Sequence, residues 1–141
     1  MTASFQTPDT APTVRPADVS AAFRAAARLI AANGHHQGDY LPDPFDRRTS
    51  SPHSSRPLSI VAAIRCVASP GGDNPRLATE LSEAAVKVLA HRLEVEGEPP
   101  WSDAPRWLEN HVDCWGDLPG RTVESVVAVL EAAADANEVS A

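Results

Sequence analysis

Apolar side chains recur at three- and four-residue intervals in several separated stretches of the chain, and nowhere do they alternate over six residues. That is the period by which an α-helix keeps one face dry, so helices are expected throughout and strands are not. Val19, Ala22, Phe23, Ala26, Ala27 and Ile30 form the first stripe, with Asp18 as the expected N-cap and Gly34 as the stop. Val61, Ile64 and Val67 mark a second helix within 58–69, ended by Pro70-Gly71-Gly72. Asn74-Pro75 opens a third, a capping residue followed by proline at the first helical position; Leu77, Leu81, Ala84, Ala85, Val88 and Leu89 carry it and Gly97 closes it. After the rigid Glu98-Pro99-Pro100, Ser102 or Asp103 is placed to cap a short helix through Trp107, Leu108 and His111, expected to end before Cys114. Val123, Val126, Val127, Leu130 and Ala134 give the last stripe. The segments sum to an all-α fold, a compact bundle of four to five helices.

The stretches between the stripes set the domain organisation. Residues 1–16 carry three prolines and four threonines with little to bury, and are expected to form a flexible arm. Residues 35–57 carry Pro42, Pro44, Pro52 and Pro57 among serines and aspartates, which excludes a continuous helix and leaves a long loop after the first helix. A short strand or hairpin around Asp39 to Phe45 fits within that loop. A single domain over 17–136 follows, with 137–141 expected to fray.

Trp115 to Thr122 is the most informative segment. Pro119-Gly120 suits the centre of a type II turn with glycine at positive φ, and Thr122 suits the cap of the helix that follows. Trp115 and Leu118 then anchor the turn on the core, and Asp117 can meet Arg121 across it. A functional alternative has Arg121 and the N–H groups of the helix start capturing an anion or a partner's carboxylate, although Glu124 in the first turn opposes an anion there.

Composition narrows the function classes. Of 141 residues 24 are alanine, so the helices are expected to approach closely. A net charge of −7, with no cluster of its eleven arginines and one lysine on a visible face, disfavours nucleic acid and anionic membranes. No apolar run approaches a bilayer-spanning length and no leader pattern opens the chain, so a cytoplasmic protein is expected. Cys66 and Cys114 form no Cys-x-x-Cys pattern, and phosphate-loop, dinucleotide, Gly-x-Ser-x-Gly and His-Glu-x-x-His motifs do not occur. No metal, no cofactor and no catalytic residue is assigned, and an enzyme is the less favoured class.

Three further groups invite chemistry. His35-His36-Gln37 precedes Gly38-Asp39, a solvated loop or a binding loop. His111 and Cys114 would share a helix face if the helix ran that far, as a thiol and its base would. Trp101, Trp107 and Trp115 read first as core anchors, and second as an aromatic platform.

The Ala-rich first helix, Gly34, Gln37-Gly38, Ala62-Ala63-Ile64 and then Trp115-x-Asp117-x-Pro119-Gly120-Arg121-Thr122 resemble a family of small bacterial and phage proteins of unknown function, whose members end in a Trp-Asn-Asp-x-Pro-Gly-Arg-Thr turn and a Val/Leu-rich helix. The resemblance covers 19–134. This chain departs from it with Gly116 in place of Asn, His35 where an aromatic is common, and Ser59 and Ala62 in the places of a Cys and a Gly. A serine keeps the size of that Cys and little of its chemistry. The resemblance implies no mechanism.

The resulting expectation is a non-enzymatic helical domain that binds a protein partner or self-associates, with contacts drawn from His36, Gln37, Trp115, Asp117 and Arg121. Its rival is a small-molecule or anion pocket, enzymatic or not, built by Arg121, Asp117 and His36.

Overall fold

Asp18 lies inside the first helix and closes a box around its start. In the computed structural model, which describes residues 14–37, 57–68 and 75–140, α1 spans Pro16–Asn33 with Arg15 at the N-cap. Proline needs no acceptor for a missing N–H, so Pro16 opens the helix without loss, and the Asp18 carboxylate reaches back to accept the Arg15 N–H at 3.0 Å. At the far end Gly34 takes a φ of 100° and its N–H donates to the Ile30 carbonyl. The stripe from Val19 to Ile30 is buried as its spacing predicts.

Among the described residues four more helices follow: α2 (Ile60–Ala68), α3 (Pro75–Ala90), α4 (Pro105–Asp117) and α5 (Val123–Ser140). Among the described residues there is no strand, and the fold is all-α. Residues 1–13 of the expected arm, the Asp39 to Phe45 segment and the Asn74 cap lie outside the described residues, and Pro16, expected to end the arm, is already the first residue of α1.

The short α2 is the apolar middle of the bundle, packed on α1, α3 and α4, with Ile60, Val61, Ala63 and Ile64 buried. Ser59 caps it, its hydroxyl accepting the Ala62 N–H at 3.1 Å. The most extensive helix pair is α1 on α5. Ser20 donates to the Ala134 carbonyl there, and Asn137 donates to the Pro16 carbonyl and the Ser20 hydroxyl, each at 2.8 Å. These bonds tie the last part of α5 to the start of α1, and the helix runs to Ser140.

Besides the start of α1, where Arg15 replaces the expected Asp18 cap, two boundaries differ from the sequence reading. Helix α3 stops at Ala90, and Gly97, at a φ of 81°, instead serves a tight turn in which Val95 and Glu98 exchange backbone hydrogen bonds. Helix α4 begins after Ala104, in place of the expected Ser102 or Asp103 cap, and continues through Cys114 and Trp115 to Asp117. Nothing between His111 and Cys114 breaks a helix; Pro119 is the first residue that must. No helix among the described residues is long and apolar enough to cross a membrane.

Candidate functional site

The carbonyl end of α4 is where the sequence-predicted residues gather. A parallel bridge sets this up: Leu58 N–H donates to the Gly34 carbonyl, and His36 N–H donates to the Leu58 carbonyl at 2.9 Å. The segment after α1 is thereby laid beside the entrance to α2. Gln37 then reaches across, its amide nitrogen donating to the carbonyls of Gly116 at 3.1 Å and Leu118 at 3.2 Å. Carbonyls at a helix C-terminus have no intrahelical partner, and Gln37 supplies one from 79 residues away in the chain.

The turn itself has the expected form. Arg121 N–H donates to the Leu118 carbonyl across Pro119-Gly120, and Gly120 has a φ of 89°. Thr122 caps α5 reciprocally with Ser125: the Ser125 N–H donates to the Thr122 hydroxyl, and the Thr122 N–H to the Ser125 hydroxyl. Arg121 lies on Trp115, with its guanidinium carbon 3.7 Å from the ring centre and Nε donating to the Trp115 carbonyl at 3.0 Å.

Gln37, Trp115 and Arg121 are therefore tied together, with Trp115 buried and Arg121 half-buried. His36 and Asp117 lie exposed beside them, and each makes further interactions. The Gln37 contacts bring the His36 loop and the Asp117 turn to one place. Arg121 has its planar face and Nε engaged by Trp115.

Two polar groups are buried beneath this junction, His35 from the loop already singled out and Asp113, which the sequence reading missed. Asp113 is 7% exposed; one carboxylate oxygen accepts the Val61 N–H in the first turn of α2, and the other has no hydrogen-bond partner among the described residues. Burial pushes its carboxyl up to about 7, the Val61 N–H opposes the rise, and the charges of Asp117 and Glu109 add to it. His35 has its Nε2 buried and unpartnered among the described residues, and burial holds the imidazole below its ordinary value against the pull of Asp117. Asp113 becomes visible as a buried position only when the period of α4 is continued past His111.

The other candidates resolve structurally. His111 Nε2 donates to the Leu93 carbonyl at 2.7 Å and so fastens the 91–104 connector to α4. Burial raises the Cys114 and Cys66 thiols, which opposes thiolate formation. No group of three or more metal-ligating side chains occurs among the described residues.

Of the three tryptophans only Trp115 anchors the core. Trp101 is 80% exposed and Trp107 40% exposed, and they meet edge to face with ring centres 4.9 Å apart. The connector and the first turn of α4 bring them together on the surface, because Pro99, Pro100 and Pro105 fix a chain path that leaves the bundle before α4 re-enters it.

A family model described as a family of unknown function, DUF6197, matches residues 14–136. The chain belongs to this family. As a DUF6197 member it has matched residues from before α1 to within the last two turns of α5, so the Gln37 clamp, the α4 turn and the tryptophan pair all lie inside the family's span. No curated protein matches the chain, and no solved structure does.

Proposed function

We propose that this protein is a non-enzymatic helical module that binds a protein partner, with Trp101 and Trp107 as its principal contacts. The observation that carries this reading is the exposed pair itself: two of three tryptophans stand on the surface against each other while the third is buried. Isolated exposed apolar residues are ordinary, but tryptophan is the residue most enriched at the energetic centres of interfaces. The T-shaped contact also pre-organises both rings, which lowers the ordering cost on binding.

A photo-crosslinking residue at position 101, with one at the exposed Ala128 on α5 as control, tests this in the producing cell. A discrete adduct from 101 and none from 128 is expected, and its mass tells a foreign partner from a second copy of the chain. Absence of any adduct at 101, or equal labelling from both positions, would overturn the reading.

The second reading is a small anion or ligand held by His36, Asp117 and Arg121. The Gln37 contacts favour it, because they bring the two segments together. The stacking of Arg121 on Trp115 weighs against it. Arg121→Ala should abolish a bound adduct in native mass spectrometry if this reading holds.

A further inference from the structure

Trp107, one of the exposed pair, lines a hollow along α4 that adjoins a larger groove, and the chemistry of that groove specifies an occupant. Between α3 and the start of α4 lies a hollow of about 310 Å³ whose floor includes Ala84, Pro105 and Leu108. Its rim carries four carboxylates, from Glu80, Glu83, Asp103 and Glu109, against the single ammonium of Lys87. A second hollow of about 260 Å³ continues along α4 past Trp107, and the two share Glu109.

We infer that this groove docks a cationic segment of a protein partner, one that carries lysine or arginine beside an apolar anchor. The inference rests on the partner-binding reading above and names the partner's chemistry.

Charge complementarity selects that occupant over an acidic or neutral one. Arg76 and Arg65 already hold Glu80 and Glu109 from the flanks, so those two carboxylates are partly neutralised. Asp103 faces His91, which is charged only when protonated, and Glu83 makes no ion pair among the described residues. Glu83 and Asp103 therefore dominate the negative field on the two sides of the groove. The aromatic edge adds the same preference, since the faces of indole rings attract cations. Trp107 already shows this, with the Arg106 guanidinium carbon 5.9 Å from its ring centre. An incoming lysine or arginine can lay its methylenes on Ala84 and the exposed Pro105 and keep its charged end at the rim, an arrangement long cationic side chains adopt readily. An acidic segment would meet like charge on both sides.

The test uses the full chain and two synthetic amphipathic helical peptides with identical leucine positions, one bearing lysines and the other glutamates. Binding is followed by the indole N–H resonances of Trp101, Trp107 and Trp115 and by the backbone amides of α3 and α4. The lysine peptide is expected to shift the Trp101 and Trp107 resonances and the amides around Glu83, and to leave Trp115 unmoved. Glu83→Lys with Asp103→Asn, both at exposed positions, should weaken that binding by about tenfold or more and leave the helical circular dichroism spectrum intact.

Equal affinity for the two peptides would overturn the inference. So would shifts spread over the acidic surface away from the groove, or affinity unchanged in the double variant. The crosslinking experiment separates the two failures: an adduct from position 101 to a partner that survives the double variant leaves partner binding standing and removes the cationic requirement.

Discussion

The imidazole of His35 packs directly against Gly116, so closely that a Cβ at position 116 would lie 3.1 Å from His35 Nε2 and 3.3 Å from the Ile60 methyl. A glycine inside a helix costs stability, up to about 1 kcal/mol relative to alanine in the interior and less near the end. Here it makes room for the neighbouring side chain. The helix preference and the clash therefore act in opposite directions on Gly116→Ala. We expect the substitution to destabilise the wild-type chain by about 1 kcal/mol and to lose most of that cost in a His35→Ala background, where only the flexible Ile60 methyl stays close. Urea denaturation of the four proteins in the cycle checks this, and additive effects would show that the two residues do not share space.

Asp113 gives the fold a pH dependence whose sign can be worked out. Its native value of about 7 lies above the ordinary carboxylate value, so the native state keeps a proton that the unfolded chain has lost. Stability from this group is full below about pH 4 and falls as the pH rises to about 7, after which it is constant. His35 acts the other way: its native value is depressed, so its contribution is present above about pH 6.5 and is lost on acidification. Asp113→Asn keeps an oxygen for the Val61 N–H and removes the charge. The variant should exceed wild type by about 2 kcal/mol at pH 8 and match it within about 0.5 kcal/mol at pH 4. An equal difference at both values would mean that the carboxyl titrates normally.

The turn after α4 has a backbone requirement at one position. Gly120 has a φ of 89° and nothing within 4 Å of a Cβ placed on it, so the cost of Gly120→Ala is conformational and owes nothing to crowding. A loss of about 1 kcal/mol or more is expected, and Gly120→Asn should recover part of it because asparagine tolerates that conformation. Thermal melts of the two variants decide the point, and a wild-type melting curve for Gly120→Ala would contradict the assigned turn.

Local chemistry explains what was legible in the sequence. The stripe of α1, the Pro119-Gly120 turn and the Thr122 cap are each specified by residues within a few positions of one another, and all three appear as read. The errors come from elsewhere. Gly97 resembles a helix stop, but α3 ends earlier, where Leu93 is drawn into the core and its carbonyl is taken by His111. Trp101 and Trp107 read as core anchors by residue type, yet the prolines around them fix a path outside the bundle. The Gln37 contacts join residues 79 and 81 positions apart, and neither local propensity nor hydrophobic period carries that pairing. Asp113 is harder still, since a carboxylate within a helical run reads as a solvated position until the helix is known to continue past it.

Long-range charge also lies outside the period, and Arg24 shows its effect. From the middle of α1 this residue reaches Glu131, Asp135 and Glu138 on one face of α5, and the three carboxylates hold its guanidinium protonated. Because the acids are spaced three, four and seven residues apart, they repel one another when the arginine is removed. Arg24→Ala should therefore lower stability by more than the loss of a simple surface pair. Added salt should shrink the deficit by screening both the missing attraction and the exposed repulsion. Melting temperatures of wild type and Arg24→Ala in low and high sodium chloride check this directly. A deficit that does not change with salt would assign the role of Arg24 to the packing of its methylenes between α1 and α5.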